Sequence, residues 1–170
     1  MKEFALNQKK AINTLLFICD SQGGECDLYH LLKVVFFADS SHLFDYGRPI
    51  TGDRMVAMNK GPVPSYCYDV VKRYGPQQEY FKTTGNTVVA LQKPDMNVFS
   101  ESDIEHLKKA IAENMPLSSD DLMAKSHTPA YNKAWANPGK AIPMSYIDIA
   151  REDGKVNEEM IKYIHSRFQY

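Results

Sequence analysis

The chain has 170 residues, enough for one compact domain, and its 44% hydrophobic and 24% charged residues are typical of an ordinary globular protein. Twenty basic residues against twenty-one acidic ones leave a net charge of -1. The chain therefore lacks the cationic field on which non-specific nucleic-acid binding relies, so we do not expect nucleic acid as a partner.

The apolar runs predict a cytoplasmic protein that enters no membrane. The longest ones, such as residues 15–19 and 34–38, are far shorter than the ~20 residues that a membrane span requires. No uninterrupted apolar stretch follows a basic N-terminus, as it would in a secretory signal. The three cysteines, Cys19, Cys26 and Cys67, form no C-x-x-C pair, which predicts reduced thiols.

Helical periodicity dominates the first 50 residues. Apolar residues repeat at i, i+3, i+4 and i+7 from Ile12 to Cys19, which predicts an amphipathic helix that ends before residues 22–24. A second stripe begins at Asp27, and here apolar residues fill the opposite side as well. That pattern is typical of a buried central helix, which we expect to end at residues 46–49.

The middle of the chain carries signals for strands and turns. Residues 55–58 are too few and too apolar for a surface helix and predict a short strand. The run Gly61-Pro62-Val63-Pro64 predicts a rigid loop, because two prolines fix φ ahead of a short helix. That helix carries a stripe from Cys67 to Tyr74 and should stop at Gly75-Pro76. Two β-rich runs within residues 80–91 flank a Gly-Asn turn and predict a β-hairpin.

The last 70 residues are predicted to be helical. Ser100 and Ser118 are each followed three residues later by an aspartate, the spacing that caps helix starts. A short helix should follow Thr128-Pro129, and the last helix should begin at Asn157. We therefore predict one domain over residues 1–170, of the α+β class and predominantly α-helical, with one short strand and one β-hairpin.

Asp39, His42 and Asp45 are the first candidates for a functional site. A divalent metal wants three or more such ligands, and the three residues lie at i, i+3 and i+6 near the end of the central helix. Asp39 also falls where the apolar stripe should continue, and a buried carboxylate needs a partner, which His42 or a loop N–H would supply. We favour the second interpretation and predict a buried polar network without a metal.

Cys67, His127 and Lys33 each allow a functional and a structural interpretation. Cys67 lies one turn into a helix, where the dipole activates a thiol, but its place on the apolar stripe favours an inert, buried side chain. His127 lies at a helix junction, where an imidazole often satisfies leftover backbone carbonyls. Lys33 lies among apolar residues, so its ammonium must reach solvent or pair with an acid.

The remaining histidines and motifs give no sign of catalysis. His30, His106 and His165 have charged or polar neighbours, which predicts solvated faces. The chain contains no P-loop, G-x-G-x-x-G, H-E-x-x-H or G-x-S-x-G pattern. We therefore predict a protein that is not an enzyme and needs no cofactor, and a metal- or thiol-dependent enzyme is the less favoured alternative.

Two sets of residues, in a fixed order, resemble a known family. The first set is Lys33, Phe37, Asp39, His42, Gly47 and the run Gly61-Pro62-Val63-Pro64. The second set is Ser126, His127 and Trp135. With this order and spacing, the chain resembles the Panacea antitoxin domain, also called SocA-like, over nearly its whole length. The resemblance implies that these residues are structural or bind a partner. Relatives usually place a tyrosine where this chain has Val35-Phe36-Phe37. A role of that hydroxyl therefore cannot be carried over to this chain, whereas the apolar role of the ring can.

The resemblance implies an antitoxin of a bacterial toxin–antitoxin system that neutralises its cognate toxin by direct protein–protein binding. Some relatives act as adaptors that deliver a toxin to a bacterial protease, so a prophage-associated adaptor is the alternative and a protease is a second expected partner. Members often occur in prophages. We expect the interface first at the hairpin and at the segment around Gly61.

Overall fold

The structure is a computed structural model that describes residues 3–72 and 79–169. The helices in these residues are α1 (Gln8–Ser21), α2 (Leu28–Tyr46), α3 (Ser65–Lys72), α4 (Glu101–Asn114), α5 (Ser119–Ser126), α6 (Pro129–Trp135), α7 (Tyr146–Ala150) and α8 (Glu158–Arg167). The strands are β1 (Glu25–Asp27), β2 (Met55–Met58), β3 (Gly61–Pro64), β4 (Phe81–Thr84), β5 (Thr87–Ala90) and β6 (Ile142–Pro143). The predicted α+β, predominantly helical class is confirmed. The predicted helix stop at Gly75-Pro76, with Tyr74 before it, lies outside the described residues.

Helix α2 is the centre of the fold, as its apolar pattern predicted. Asp27 caps its first turn by accepting a hydrogen bond from the backbone N–H of His30. Gly47 ends it with a φ of 70°, where a Cβ atom would lie 2.6 Å from the ring of Tyr163. Buried side chains lie on every side of the helix because α4, α1, α5, α7 and β3 all pack against it.

Two small antiparallel sheets flank the helices, with strand orders β1-β5-β4 and β3-β2-β6. The predicted hairpin forms β4 and β5, and the predicted short strand forms β2. The short strands β1 and β6, of three and two residues, were not predicted. Strands this short carry no periodic pattern and exist because a neighbouring strand offers its edge.

The run Gly61-Pro62-Val63-Pro64 is strand β3, so its prediction as a loop was wrong. It pairs antiparallel with β2, with Val63 opposite Val56 and Pro62 opposite Ala57. Prolines are tolerated here because β3 is an edge strand. A backbone position that faces away from the sheet has no partner strand to donate to, so the missing N–H of a proline there costs no hydrogen bond. The helix predicted after the prolines is α3, and it begins directly at Ser65.

The predicted helix starts in the C-terminal part are confirmed. Ser100 and Asp103 form a reciprocal capping box on α4, Ser118 caps α5, and Asn157 caps α8. Helix α7 was not predicted. Within residues 3–72 and 79–169, none of the helices combines the length and the apolar character that crossing a membrane demands.

Candidate functional site

Asp39 anchors the loop that follows α2. Its buried Oδ1 accepts the backbone N–H groups of Ile50 and Thr51, both at 2.9 Å, and its Oδ2 accepts the Thr51 hydroxyl at 2.5 Å. Burial raises the pKa of Asp39 to about 7, although the hydrogen bonds from Thr51 and Ile50 lower it. The buried network is therefore present, and loop N–H groups supply the partners of Asp39 instead of His42.

His42 belongs to a separate network between α2 and α4. Its Nδ1 lies 2.7 Å from the carbonyl oxygen of Arg48 and must donate to it, so Nε2 accepts from the Ser102 hydroxyl at 2.9 Å. Burial lowers the pKa of His42, which favours this neutral tautomer. With Nδ1 and Nε2 both engaged, the imidazole ties the end of α2 to α4.

Asp45 turns to a third partner, His106, whose Nε2 lies 2.8 Å from its Oδ2. Asp39, His42 and Asp45 therefore point to three different places and do not form a ligand set. In the described part of the chain, no group of three or more His, Cys, Asp or Glu side chains is arranged to hold a metal ion.

Two of the three histidines assigned to solvated faces are in fact packed between elements. His106 is buried, and its Nδ1 lies 2.8 Å from the carbonyl oxygen of Ser102. His30 is half-buried, with Nε2 2.7 Å from the carbonyl oxygen of Leu117. His165 is exposed, as predicted. The charged neighbours of His106 in sequence do not reveal that its own face of α4 packs against α2.

Cys67 is an inert thiol in this fold. It is fully buried on α3, and its backbone N–H donates to Asp53 at 2.8 Å. Burial raises the pKa of Cys67 well above its ordinary value, and the nearby carboxylates of Asp53 and Asp39 raise it further. The thiolate that a nucleophile requires is therefore disfavoured.

Residues of both family signatures meet beside β3. Lys33 comes from α2, Gly61 and Pro62 from β3, and Ser126 from the end of α5. Gly61 has a φ of +115°, and a Cβ atom there would lie 2.6 Å from Ser126 Oγ and 3.0 Å from Lys33 Cε. Only glycine allows these three elements to approach so closely.

The ammonium of Lys33 is buried, and no acid within residues 3–72 and 79–169 pairs with it. The residue is 1% exposed, and its Nζ donates to the carbonyl oxygen of Pro62 at 2.8 Å. Nζ also lies 4.6 Å from the centre of the Tyr29 ring, in a cation–π contact. Burial lowers the pKa of Lys33 to about 8. We expected this ammonium to reach solvent or pair with an acid, but among the described residues it contacts a carbonyl oxygen and an aromatic face instead.

His127 begins a ladder of stacked rings. Its ring lies 4.4 Å from that of Tyr131, which in turn lies 6.2 Å from the half-exposed Trp135. The backbone N–H of His127, and not the predicted imidazole, bonds the last carbonyls of α5. Its Nε2 is buried with no hydrogen-bond partner among the described residues. Burial lowers the pKa of His127, and the Lys33 ammonium lowers it further.

An open groove of about 600 Å³ runs along this cluster. Its walls come from α2, the β2–β3 turn, α3, the β4–β5 turn and α5, and they include Tyr29, Lys33, Lys60, Gly61, Tyr68 and Asn86. The hairpin and the Gly61 segment therefore border the same groove. The sequence analysis did not identify Tyr29 and Tyr68 as groove residues, because an aromatic residue on a helix is common and does not by itself indicate a binding site.

Of the other signature residues, only Val63 is among the described residues that line the groove. Phe37 packs between the two apolar cores of the domain, and Lys125 Nζ lies 4.6 Å from its ring centre. Val63 lines the groove, whereas Pro64 leads into α3. Asp39, His42 and Gly47 hold the end of α2 and the loop after it.

A family model described as "Antitoxin SocA-like, Panacea domain" matches residues 31–136, more than half of the chain. A comparison with curated proteins found no match, and neither did one with solved structures. The matched region runs from the start of the first signature, through β3 and the groove, to Trp135 at the end of the second. The chain belongs to the SocA-like antitoxin family that is defined by the Panacea domain.

Proposed function

We propose that this protein is the antitoxin of a bacterial toxin–antitoxin system and that it neutralises its cognate toxin by direct binding in the cytoplasm. The observation that carries the proposal is the family match over residues 31–136, which includes most of the elements that build the groove. The three cysteines are unpaired thiols, which supports a reducing compartment. A gene carried by a prophage fits the same role.

The groove supports binding to a protein surface. Tyr29 and Tyr68 line it, and the stacked ring of Trp135 lies 37% exposed at the end of the adjoining ladder. Tyrosine and tryptophan are enriched among the residues that dominate protein–protein binding energy. We assign a partner-binding role to Lys33, Gly61 and Val63, which line the groove. We extend it to the neighbouring Pro62, Ser126 and His127, and to Trp135 at the end of the stacked rings.

The remaining signature residues have a structural role in this proposal. Asp39, His42 and Gly47 set the end of α2, while Phe37 and Pro64 place α2 and α3. An enzyme built on Cys67 has little support, because burial disfavours its thiolate. One built on Asp39, His42 and Asp45 has little support because their side chains diverge.

The test co-expresses this chain with the product of the neighbouring open reading frame. We expect the neighbour alone to stop growth, and co-expression to restore growth and yield a stoichiometric complex on purification. Lys60→Glu, on the groove rim, should weaken the complex, whereas Lys109→Glu, exposed on α4, should leave it intact.

Three outcomes discriminate between mechanisms. Restored growth with constant toxin levels supports neutralisation. Restored growth with toxin levels that fall only when a host protease is present indicates delivery by an adaptor. A neighbour without toxicity, or rescue without any complex, contradicts the proposal.

A further inference from the structure

The groove contains a buried cation, Lys33, that none of the described acidic side chains pairs with. Lys33 is 1% exposed, and residues 3–72 and 79–169 show no ion pair to it. An ammonium has three N–H donors. Among the described residues, Lys33 donates one hydrogen bond, to the carbonyl oxygen of Pro62. The face of Tyr29 provides the remaining stabilisation that the structure shows.

This arrangement is costly for the free protein. Desolvation penalises a buried charge, and a carbonyl dipole with an aromatic face compensates it less fully than an opposite charge does. The lowered pKa of Lys33, about 8, reflects the same penalty. A methionine would fill nearly the same space without it, so packing alone does not explain a lysine at this position.

The cations that line the groove outnumber the acids by three to two. Lys60 on the β2–β3 turn and Lys72 on α3 line the groove with Lys33. Two acids also line it, Asp27 and Asp120. Asp27 already accepts from the backbone and the ring of His30, and Asp120 lies in the first turn of α5, where the helix dipole attracts its charge.

We propose that the groove receives an aspartate or glutamate side chain of the partner protein, whose carboxylate becomes the counter-ion of Lys33. The proposal rests on the proposed function, since the partner is the toxin. A carboxylate would accept the N–H donors that Pro62 leaves over, and the rings of Tyr29 and Tyr68 would pack against the apolar part of the same segment. Binding would then relieve the uncompensated charge.

The first test separates binding from stability with Lys33→Met. We expect this variant to keep or raise the melting temperature of the free protein while its affinity for the co-expressed neighbour falls at least tenfold, measured by calorimetry. Lys109→Met, exposed on α4, is the matched control and should change neither quantity. A lower melting temperature with unchanged affinity would make Lys33 a structural residue and overturn the proposal.

A double-mutant cycle then identifies the carboxylate. Each acidic residue of the neighbour is changed to its amide, and one of these changes should weaken binding to the wild-type chain but not to Lys33→Met. If none of the acids couples to Lys33, the proposal is wrong.

A second test needs no toxin and therefore distinguishes failure of this inference from failure of the proposed function. Acetylated hexaglutamate, hexaglutamine and inorganic phosphate are titrated onto the wild-type chain while the Lys33 ammonium is followed by NMR. Hexaglutamate should give a saturable shift of the Lys33 signal and raise the pKa of Lys33, and hexaglutamine should do neither. A response to phosphate alone, or to none of the three, would overturn the assignment of a carboxylate.

Discussion

Single buried polar groups hold the loop that leads from α2 to β2. The backbone N–H groups of Ile50 and Thr51 are buried, and each would cost about 1–3 kcal/mol if it lacked an acceptor. Asp39 provides that acceptor from inside the central helix. A carboxylate in the apolar core is therefore explained by the loop that it satisfies.

Replacing Asp39 tests this explanation. Asp39→Ala should lower the free energy of unfolding by about 2–4 kcal/mol at pH 7, because it leaves the N–H groups of Ile50 and Thr51 without acceptors. Asp39→Asn should cost much less, since the amide oxygen still accepts from both and the amide N–H donates to the Thr51 hydroxyl. Urea denaturation measures both variants, and equal losses would show that these hydrogen bonds are unimportant.

The pH dependence of stability provides a separate prediction. Burial raises the pKa of Asp39 in the folded chain to about 7, from 3.8. The folded state therefore holds the Asp39 proton more tightly than the unfolded state. The contribution of this protonation to the free energy of unfolding is complete below about pH 4 and is lost as the pH rises towards 7. Glu3 has a pKa raised by burial to about 7 as well, so only the difference between wild type and Asp39→Asn isolates Asp39. If the two proteins show parallel stability curves from pH 4 to 7, the prediction fails.

Among the elements, β3 joins α2, the edge of a sheet and the end of α5. Its prolines suit an edge strand, and its glycine suits the close approach of Ser126 and Lys33. A single strand of four buried residues therefore sets where the two family signatures meet.

Gly61→Val compared with Gly24→Val separates crowding from backbone strain. Both glycines have positive φ, +115° and +102°, but a Cβ atom meets nothing within 4 Å at Gly24. Both variants should therefore lose stability through strain, and Gly61→Val should lose a further 1–3 kcal/mol or so through overpacking against Ser126 and Lys33. Thermal unfolding of the two variants measures the difference. Equal losses would mean that α5 does not press on β3.

For the whole molecule, binding and not chemistry is the activity that we expect. Its ten tyrosines and its net charge of -1 suit a partner held by buried contacts more than by long-range attraction. Cys67 was a candidate nucleophile because of its position near the start of a helix. Its side chain is buried in the first apolar core.

Cys67→Ala tests binding without chemistry. The folded variant should co-purify with the neighbouring gene product and restore growth as the wild type does, because Cys67 lies outside the groove walls that the structure describes. Circular dichroism confirms that the variant is folded. A folded variant that binds its partner normally and yet fails to restore growth would support an enzyme in place of a binder.

The sequence by itself determined the features that local interactions control. The stripes of α1 and α2, the capping box of Ser100 with Asp103, the stop at Gly47 and the hairpin at 81–90 all depend on residues a few positions apart. Their hydrogen bonds and apolar faces can be read from spacing alone. The family signature was readable for the same reason, because it consists of residue types in a fixed order.

Only the tertiary structure decided where separated segments meet. Strand β6 has two residues and exists because β2 offers an edge. Strand β3 forms despite its prolines because it lies at the edge of its sheet in the described part of the chain. Lys33 bonds a carbonyl 29 residues away, and His106 bonds an acid 61 residues away. Such partners are set by the packing of the whole chain, because the burial of the apolar faces of helices and strands fixes which distant groups lie side by side.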